Sequence, residues 1–236
     1  FMINMKIVID KEGNKYLWEK GDLHTSLGMI KEGNIKNGMV KSNLGNAFLV
    51  FDAGFADKIE KVKRGPAIML KKDIGEIIAY SGINSKSRIV DAGSGTGVLA
   101  AFLGNISKNV VSYEKNKEFF KLAKKNLEFL DVKVKLKNKD IFNGVDEKNL
   151  DLITLDLLEP WNVFKHARKS LKSGGFLICY LTNINQLIEC AKNLEGFYLE
   201  RVLENIEREW VVDKLIVRPK HQGLMHTGFL LFARKI

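Results

Sequence analysis

Residues Arg88 to Gly104 read RIVDAGSGTGVLAAFLG, and this stretch decides how the rest of the chain folds. An apolar pair, Ile89-Val90, runs to an acid at Asp91. Glycines then fall on alternate positions, Gly93, Gly95 and Gly97, and apolar residues return at helical spacing from Val98. The pattern predicts a strand, a tight turn and a helix. Glycine admits positive φ and lets the backbone approach a ligand, while the first turn of a helix aims unpaired N–H groups into the same space. The turn is therefore expected to seat a small, partly charged molecule.

Turns of this kind bind dinucleotides as well as S-adenosylmethionine, and the dinucleotide fingerprint can be fitted to Gly95, Gly97 and Ala100. The acids tilt the choice. Asp91 ends the first strand, Glu114 follows a second apolar run (Val110, Val111) in position to hold ribose hydroxyls, and Asp140 follows a third. Repeated carboxylates at strand ends suit a ligand carrying an ammonium and a sulfonium, and suit a pyrophosphate badly. For Glu114 and Asp140 a merely solvated strand end is the alternative.

Outward from this stretch, strand and helix alternate. Helices are expected at 72–81, stopped by Gly82, and at 97–104, 116–130 and 164–171; strands are expected at 87–91, 109–114, 132–136, 150–155 and 176–181. Gly174-Gly175 breaks the helix before the last of these strands. A helix at 183–194 and strands at 198–205 and 227–233 would close the sheet with an antiparallel pair. Before them, residues 3–57 carry short alternating apolar runs split by Gly and Asn clusters, which predict an antiparallel sheet or small barrel, and 58–64 form a charged hinge. The expectation is an α/β fold with a mostly parallel sheet over 63–236, preceded by a small β-rich domain over 1–62. Ligands of such sheets bind at the carboxyl ends of the strands.

At 236 residues with 45% hydrophobic side chains, the composition fits a globular protein with a sizeable core. The formal net charge of +10 favours a polyanionic partner, nucleic acid first, although lysine-rich surfaces also arise through ion pairing. The sequence has no run of eighteen apolar residues and no signal-peptide pattern, so neither a membrane span nor export is indicated. Cys179 and Cys190 sit in apolar stretches and read as buried reduced thiols, which fits the cytoplasm. His24, His166 and His221 lack metal-ligand spacing, and no metal is expected.

Asp156 follows the apolar residues 152–155 and precedes Leu157-Leu158-Glu159-Pro160-Trp161, which puts a carboxylate at the mouth of the glycine-turn pocket. Pro160 is expected to carry this segment across the site as a rigid loop. Capping of the next helix is the alternative for Asp156. Trp161 reads as a packing residue before a stacking platform. His226 reads equally as a substrate contact or a satisfied structural group, and Arg208, Arg218, Lys220 and Arg234 as phosphate contacts or solvated charges.

Taken in order, Asp91 to Gly97 (DAGSGTG), Ser112 to Glu114 (SYE), Asp156 to Trp161 (DLLEPW), Asn183 to Gln186 (NINQ), Arg208 to Trp210 (REW) and His226 to Lys235 (HTGFLLFARK) resemble the tRNA adenine-N1 methyltransferases acting at position 58 of the T loop, and in archaeal members also at 57. The resemblance covers about residue 63 to the C-terminus. It implies a class I methyltransferase fold (Rossmann-like), S-adenosylmethionine as donor, and a homotetramer gripping tRNA with shared basic surface. It also implies roles for single residues. Gly93, Ser94, Gly95, Thr96, Gly97 and Val98 would lie against the methionine part of the cofactor, Glu114 on its ribose, and Asp140 and Ile141 at its adenine. Asp156 would sit beside the cofactor and face the target base, with His226, Arg208 and Trp161 on the substrate side. Two positions depart from the family pattern: Leu70-Lys71 stand where an aromatic or histidine and a proline are common, and Met225, itself read as core, stands where some members have glycine.

The implied chemistry is simple. Adenine N1 is already nucleophilic, so transfer needs positioning above all. A carboxylate accepting from the exocyclic amine would orient the base and stabilise the cationic ring, and an Asp156 near the usual pKa of about 3.9 would be ionised at neutral pH. The base must be unpaired, as in an RNA loop. Competing readings are a non-catalytic RNA-binding subunit, a methyltransferase for a protein or small molecule, and a nicotinamide dehydrogenase, which would leave 156–161 unexplained.

Overall fold

The computed structural model describes residues 5–65, 68–213, 215–221, 223 and 225–236. The chain divides into two compact units, Phe1–Val62 and Lys63–Ile236.

The first unit is antiparallel: β1 (Lys6–Asp10), β2 (Lys15–Trp18), β3 (Leu23–Thr25), β4 (Gly28–Ile30), β5 (Gly38–Lys41) and β6 (Ala47–Asp52), then a short helix α1 (Phe55–Ile59). Four strands form one sheet in the order β2-β1-β6-β5, while β3 and β4 pair as a separate hairpin. The sheet is open rather than a barrel. Its inner face buries Val8, Phe48 and Val50 against Ile30 and Ile35. Asp10 shapes the first hairpin, its Oδ1 accepting the backbone N–H groups of Glu12 and Asn14 at 2.9 Å each. Helix α1 occupies residues 55–59, where the sequence suggested the end of the β-rich stretch 3–57 and the start of the charged hinge 58–64.

The second unit runs α2 (Lys71–Ser81), β7 (Arg88–Ala92), α3 (Val98–Ile106), β8 (Asn109–Tyr113), α4 (Lys117–Leu130), β9 (Lys135–Lys137), β10 (Leu150–Leu155), α5 (Phe164–Ser170), β11 (Leu171–Leu181), α6 (Ile184–Lys192), β12 (Phe197–Glu204), β13 (Trp210–Asp213), β14 (Ile216–Pro219) and β15 (Phe229–Lys235). Seven strands form one sheet, β12-β15-β11-β10-β7-β8-β9, in which β15 alone runs antiparallel to its neighbours. This is the Rossmann-like, mostly parallel α/β sheet. Ile89, Val90 and Ala92 on β7 are fully buried, as expected of a parallel strand covered on both faces. One face packs Val90, Ile153, Leu177 and Leu231 against Phe164, Ala167 and Cys190 of α5 and α6. Cys179 and Cys190 are both buried free thiols, and burial together with Cys190 pushes the Cys179 thiol up.

The helix ends follow local chemistry. Gly82 closes α2 in the left-handed region at φ 61°. Asn116 caps α4, its side chain accepting the N–H groups of Glu118 and Phe119. Four details depart from the sequence reading. Strand β9 starts only at Lys135, because Val132 and Val134 pack over Gly104, where any Cβ would come within 2.7 Å of each. Gly174-Gly175 do not end the helix, which already stops at Ser170; they form a bulge inside β11, whose pairing with β10 jumps from Leu150–Leu171 to Leu152–Phe176. Pro160 opens a 3₁₀ turn, Pro160–Val163, that runs directly into α5 instead of crossing the site. The β13–β14 hairpin was not expected at all. Among the described residues no helix is long and apolar enough to cross a membrane.

Candidate functional site

Between β7 and α3 the chain turns through Gly93, Gly95 and Gly97 at φ 88°, 52° and 80°. Gly97 donates its N–H to Ser94 O (2.6 Å), and the first bond of α3 is Ala101 N–H to Gly97 O (2.8 Å). The amides of Val98, Leu99 and Ala100 thus precede the intrahelical ladder and remain donors at the helix start. Gly93 has no room for a side chain: a Cβ there would stand 2.0 Å from the carbonyl oxygen of Asp156. The turn and the start of the 156–159 loop are therefore packed backbone to backbone, and Asp156 N–H donates to Ala92 O at 2.9 Å.

Beneath the turn lies a polar ladder absent from the sequence reading. Strand register places Thr154, Asp91 and Ser112 side by side on β10, β7 and β8. Asp91 Oδ1 accepts from Thr154 Oγ1 (2.9 Å) and Oδ2 from Ser112 Oγ (2.6 Å), and the hydroxyl of Ser94 lies 2.5 Å from that of Ser112. The expectation that Asp91 faces a cationic ligand group is corrected: its carboxylate is buried within the sheet, where desolvation pushes its pKa up to about 6 against the pull of the two hydroxyls.

At the carboxyl ends of the strands a cavity of about 370 Å³ is lined by Gly93, Gly95, Glu114, Asp140, Ile141 and Asp156, six of the residues singled out from sequence. Glu114 is held rigidly. Its Oε2 accepts from Gly95 N–H and its Oε1 from Asn116 N–H, both at 2.9 Å, leaving lone pairs for further donors. Asp140 accepts from Phe142 N–H (3.0 Å) with one oxygen, while Lys115 stands 3.8 Å from the other. The Asp156 carboxylate has no hydrogen-bond donor among the described residues. Burial, then the charges of Asp91 and Glu114, push it up to about 7, so the sequence-based expectation of an ordinary, fully ionised aspartate at neutral pH is corrected. A larger cleft, about 1210 Å³, opens at the opposite ends of the strands and shares none of these residues. The smaller cavity is the better candidate site, because the carboxylates and the helix start converge there.

The other predicted residues are placed differently. Ser94, Thr96 and Val98 turn buried side chains into the fold, so only their backbone can face a ligand. Trp161 packs, half-buried, against the core. His226 is exposed; its ring faces Glu204 Oε1 (2.6 Å) and Thr182 O (3.3 Å) and leans on Phe229, and Glu204 raises its pKa. Arg208 lies in the exposed segment before β13. Lys220 and Arg234, considered as phosphate contacts, are paired with Glu209 and Glu200. Met225 is exposed rather than core.

Two buried polar arrangements were not read from the sequence, although Gln186 and Thr227 fall within two of its motifs. Gln186 is buried and satisfied at both ends of its amide: Oε1 accepts from Thr182 N–H (2.8 Å) and Thr182 Oγ1 (3.1 Å), and Nε2 donates to Leu158 O (2.8 Å), tethering the loop that carries Asp156. The second arrangement is a buried ion pair at the start of α2. Lys72 Nζ donates to Asp73 Oδ1 (2.7 Å), Thr227 Oγ1 (2.6 Å) and Asn205 O (2.6 Å). Thr227 Oγ1 donates to Asp73 Oδ2 (2.9 Å), and its carbonyl accepts from the Tyr180 hydroxyl (2.8 Å). Tyr180 follows Cys179, the register partner of Leu155, and its phenol is pushed up by burial and by the charges of Asp73 and Asp156. A polar residue near the end of an apolar run, as Tyr180 is before Leu181, was the available signal.

Comparison with known proteins gives concordant results. The profile described as ribosomal RNA adenine dimethylase matches residues 69–151. The chain is 34% identical to the tRNA (adenine(57)-N(1)/adenine(58)-N(1))-methyltransferase of Methanocaldococcus jannaschii, over 99% of this chain and 95% of that protein. It is 31% identical to the tRNA (adenine(58)-N(1))-methyltransferase of Thermus thermophilus, over 97% and 92%. Among solved structures, the tRNA (m1A58) methyltransferase of Aquifex aeolicus superposes with a TM-score of 0.87 at 27% identity, covering 99% of this chain and 97% of that one. A structure from Thermotoga maritima described as a SAM-dependent O-methyltransferase superposes with a TM-score of 0.91 at 28% identity, covering 99% and 93%.

Proposed function

The chain belongs to the tRNA (adenine-N1)-methyltransferase family, and on that premise we propose that it methylates N1 of adenine 58 in tRNA, and of adenine 57 as the Methanocaldococcus jannaschii relative's name includes. The observation that carries the reading is the convergence of the glycine turn, Glu114 and Asp156 on one cavity at the carboxyl edge of the sheet.

The cavity fits the family's donor. The crowding at Gly93 allows only bare backbone beside Asp156, which leaves the turn open to close approach, and the acids around it match a ligand of net positive charge. Gly93 to Gly97 and the first amides of α3 would hold the methionine part, Glu114 the ribose hydroxyls, and Asp140 with Ile141 the adenine. S-adenosylmethionine, when bound, supplies an electrophilic methyl on a sulfonium. Asp156 then has the decisive task among the protein's own residues. It accepts from the exocyclic amine of the target adenine, fixes N1 in line, and opposes the positive charge that the ring acquires. No group need remove a proton before attack. Tyr180, held by Thr227, lies close enough to Asp156 to feel its charge.

The resemblance to homotetramers finds a physical counterpart in β13–β14. Register puts Trp210, Val212, Val217 and Pro219 on one face of this hairpin, and the first three are 55, 74 and 60% exposed. A lone two-stranded hairpin with an apolar face is marginal in water, and a second copy of the chain is the occupant proposed for it. A cytoplasmic site of action is part of the same proposal, and a tRNA substrate and two buried free thiols fit it.

O-methyl transfer is a second reading, favoured by the description of the Thermotoga maritima structure. Incubation with unmodified tRNA and labelled donor, followed by nucleoside digestion, separates the two. The expected product is 1-methyladenosine, lost on an adenine-to-guanine change at position 58. A ribose-methylated nucleoside would overturn the N1 assignment. Asp156→Ala should abolish turnover and leave donor binding largely intact, and normal turnover would remove Asp156 from its role.

A further inference from the structure

The catalytic unit carries a second, larger concavity apart from the candidate active site. It is the cleft of about 1210 Å³ at the amino-terminal ends of β7, β8 and β9, closed on one side by the last turns of α4. Its lining includes Lys86, Arg88, Lys108, Lys124, Lys133 and Lys135. Five of them flank the starts of β7, β8 and β9, which are neighbours in the sheet, and Lys124 comes from α4.

The acids at this cleft do little to offset them. Glu128 faces Lys124 at 4.0 Å, and Glu147 is taken by Lys137 (2.6 Å) and the Tyr113 hydroxyl (2.6 Å). Asp131 ends α4 in the left-handed region, where a helix terminus favours neighbouring cations. Lys86, Lys108, Lys133 and Lys135 are exposed and have no carboxylate partner among the described residues. Between the charges the floor is apolar, built from Val110, Leu127 and the half-buried ring of Phe120. Uncompensated lysines around an apolar floor suit a chain of phosphates carrying flat, stackable groups better than an acidic peptide.

We propose that this cleft is a second RNA-binding site, which takes the ribose-phosphate backbone of the substrate tRNA outside the loop that enters the catalytic cavity. The proposal rests on the tRNA reading above and adds to it a site that the catalytic residues do not share. Strands β7 and β8 are five residues each, so the two sites stand about 17 Å apart at 3.3 Å per residue. A single nucleotide seated in the cavity does not span that distance, whereas a folded RNA does. The cleft therefore contributes affinity and orientation to tRNA and nothing to the donor.

The test compares two variants of the full chain with equal net charge: Lys108→Glu/Lys133→Glu in the cleft and Lys165→Glu/Lys169→Glu on the exposed face of α5. Binding of unmodified tRNA is measured across a salt series, donor binding by calorimetry, and folding by thermal midpoint. The cleft variant should lose roughly tenfold or more in tRNA affinity at low salt, and its plot of log affinity against log salt should flatten by about 1.5, the yield of two lost phosphate contacts. Its donor affinity and midpoint should stay at wild-type values, and the α5 variant should bind tRNA within twofold of wild type. Equal losses in both variants would reduce the effect to net charge and overturn the proposal. A cleft variant with wild-type affinity and slope would overturn it as well. Failure of the wild-type protein to methylate tRNA would instead remove the substrate reading, so the two failures are distinct.

Discussion

Gln186→Glu is nearly isosteric, yet it reverses one half of a buried contact. The carboxylate keeps the acceptor that holds Thr182, but it replaces the Nε2 donor with a second acceptor facing Leu158 O, now 2.8 Å away. One hydrogen bond is worth about 1 kcal/mol, and a carbonyl left opposite a buried acceptor adds about 1–3 kcal/mol. A penalty of about 2–4 kcal/mol exceeds what an exposed loop tip can resist. The loop should therefore yield at Leu157-Leu158, while Asp156 stays tied at its backbone to Ala92. The carboxylate above the target base then loses its fixed direction, and a displacement of about 1 Å in such a group costs up to about 10²-fold in rate. Glu114 is braced by different amides, those of Gly95 and Asn116, so the donor site is spared.

The assay is single-turnover methyl transfer to tRNA at saturating donor, with donor affinity measured separately. The transfer rate should fall about 10–100-fold while donor affinity stays within threefold. Protonation of the introduced carboxyl group restores a donor toward Leu158 O, so the deficit relative to wild type should shrink as pH falls. Gln186→Met, which lacks the donor but adds no negative charge, should lie between. A wild-type rate at neutral pH would refute the reasoning, and a parallel loss of donor affinity would show general damage to the fold instead.

Gly93→Ala should lower donor affinity about 100-fold or more, because its Cβ would lie 2.0 Å from Asp156 O at a φ of 88°; calorimetry showing unchanged affinity would rule out the backbone contact as a determinant of the turn. Asp156→Asn should stabilise the ligand-free protein at pH 8 and leave it unchanged near pH 3.5. The sign follows from a folded pKa raised to about 7 over an ordinary value of 3.8: between them the folded state holds the extra proton, so the wild type loses up to about 1.4 kcal/mol per pH unit as pH rises, and thermal midpoints that move together at both pH values would contradict this. Val212→Lys with Val217→Lys should shift sedimentation from oligomer toward monomer without unfolding the chain, and an unchanged sedimentation coefficient would exclude the hairpin as the interface.

What could be read from sequence was local. The Gly93-Gly95-Gly97 alternation announces its own backbone, and acids that close apolar runs lie at strand ends wherever the strands are placed. Glu114, Asp140 and Asp156 therefore met at one cavity as expected. Asp91 failed the same reasoning by one residue, since in a strand the alternation of faces decides the partner, and Asp91 faces Thr154 and Ser112 rather than the cavity. Lys72 and Thr227, 155 residues apart, leave no periodic trace of their contact. Gln186 looked like a helix residue because its partners are the backbone of another loop. The β13–β14 hairpin was hidden by its own exposure: apolar residues without a core behind them look like noise among Glu207, Arg208 and Arg218.

The choice between a dinucleotide and a sulfonium donor, argued from spacing in the sequence, comes down to charge in the folded protein. Asp91, Glu114 and Asp156 lie close enough that Glu114 raises both of the others, and burial carries Asp91 to about 6 and Asp156 to about 7. A positive ligand charge at about 5 Å relieves such a cluster by about 3 kcal/mol at an effective dielectric of about 20, and a pyrophosphate worsens it by as much. Donor binding should therefore draw the proton off Asp156, and the donor's affinity should rise with pH between about 5.5 and 7.5 before levelling. S-adenosylhomocysteine has lost the sulfonium charge and should show little of this rise, so that above neutrality the pocket holds the donor more tightly than the spent product. The measurement is a pair of calorimetric pH series, one for each ligand. Parallel curves would mean that Asp156 does not sense the sulfonium, and the carboxylate cluster would then have to be explained by the fold alone.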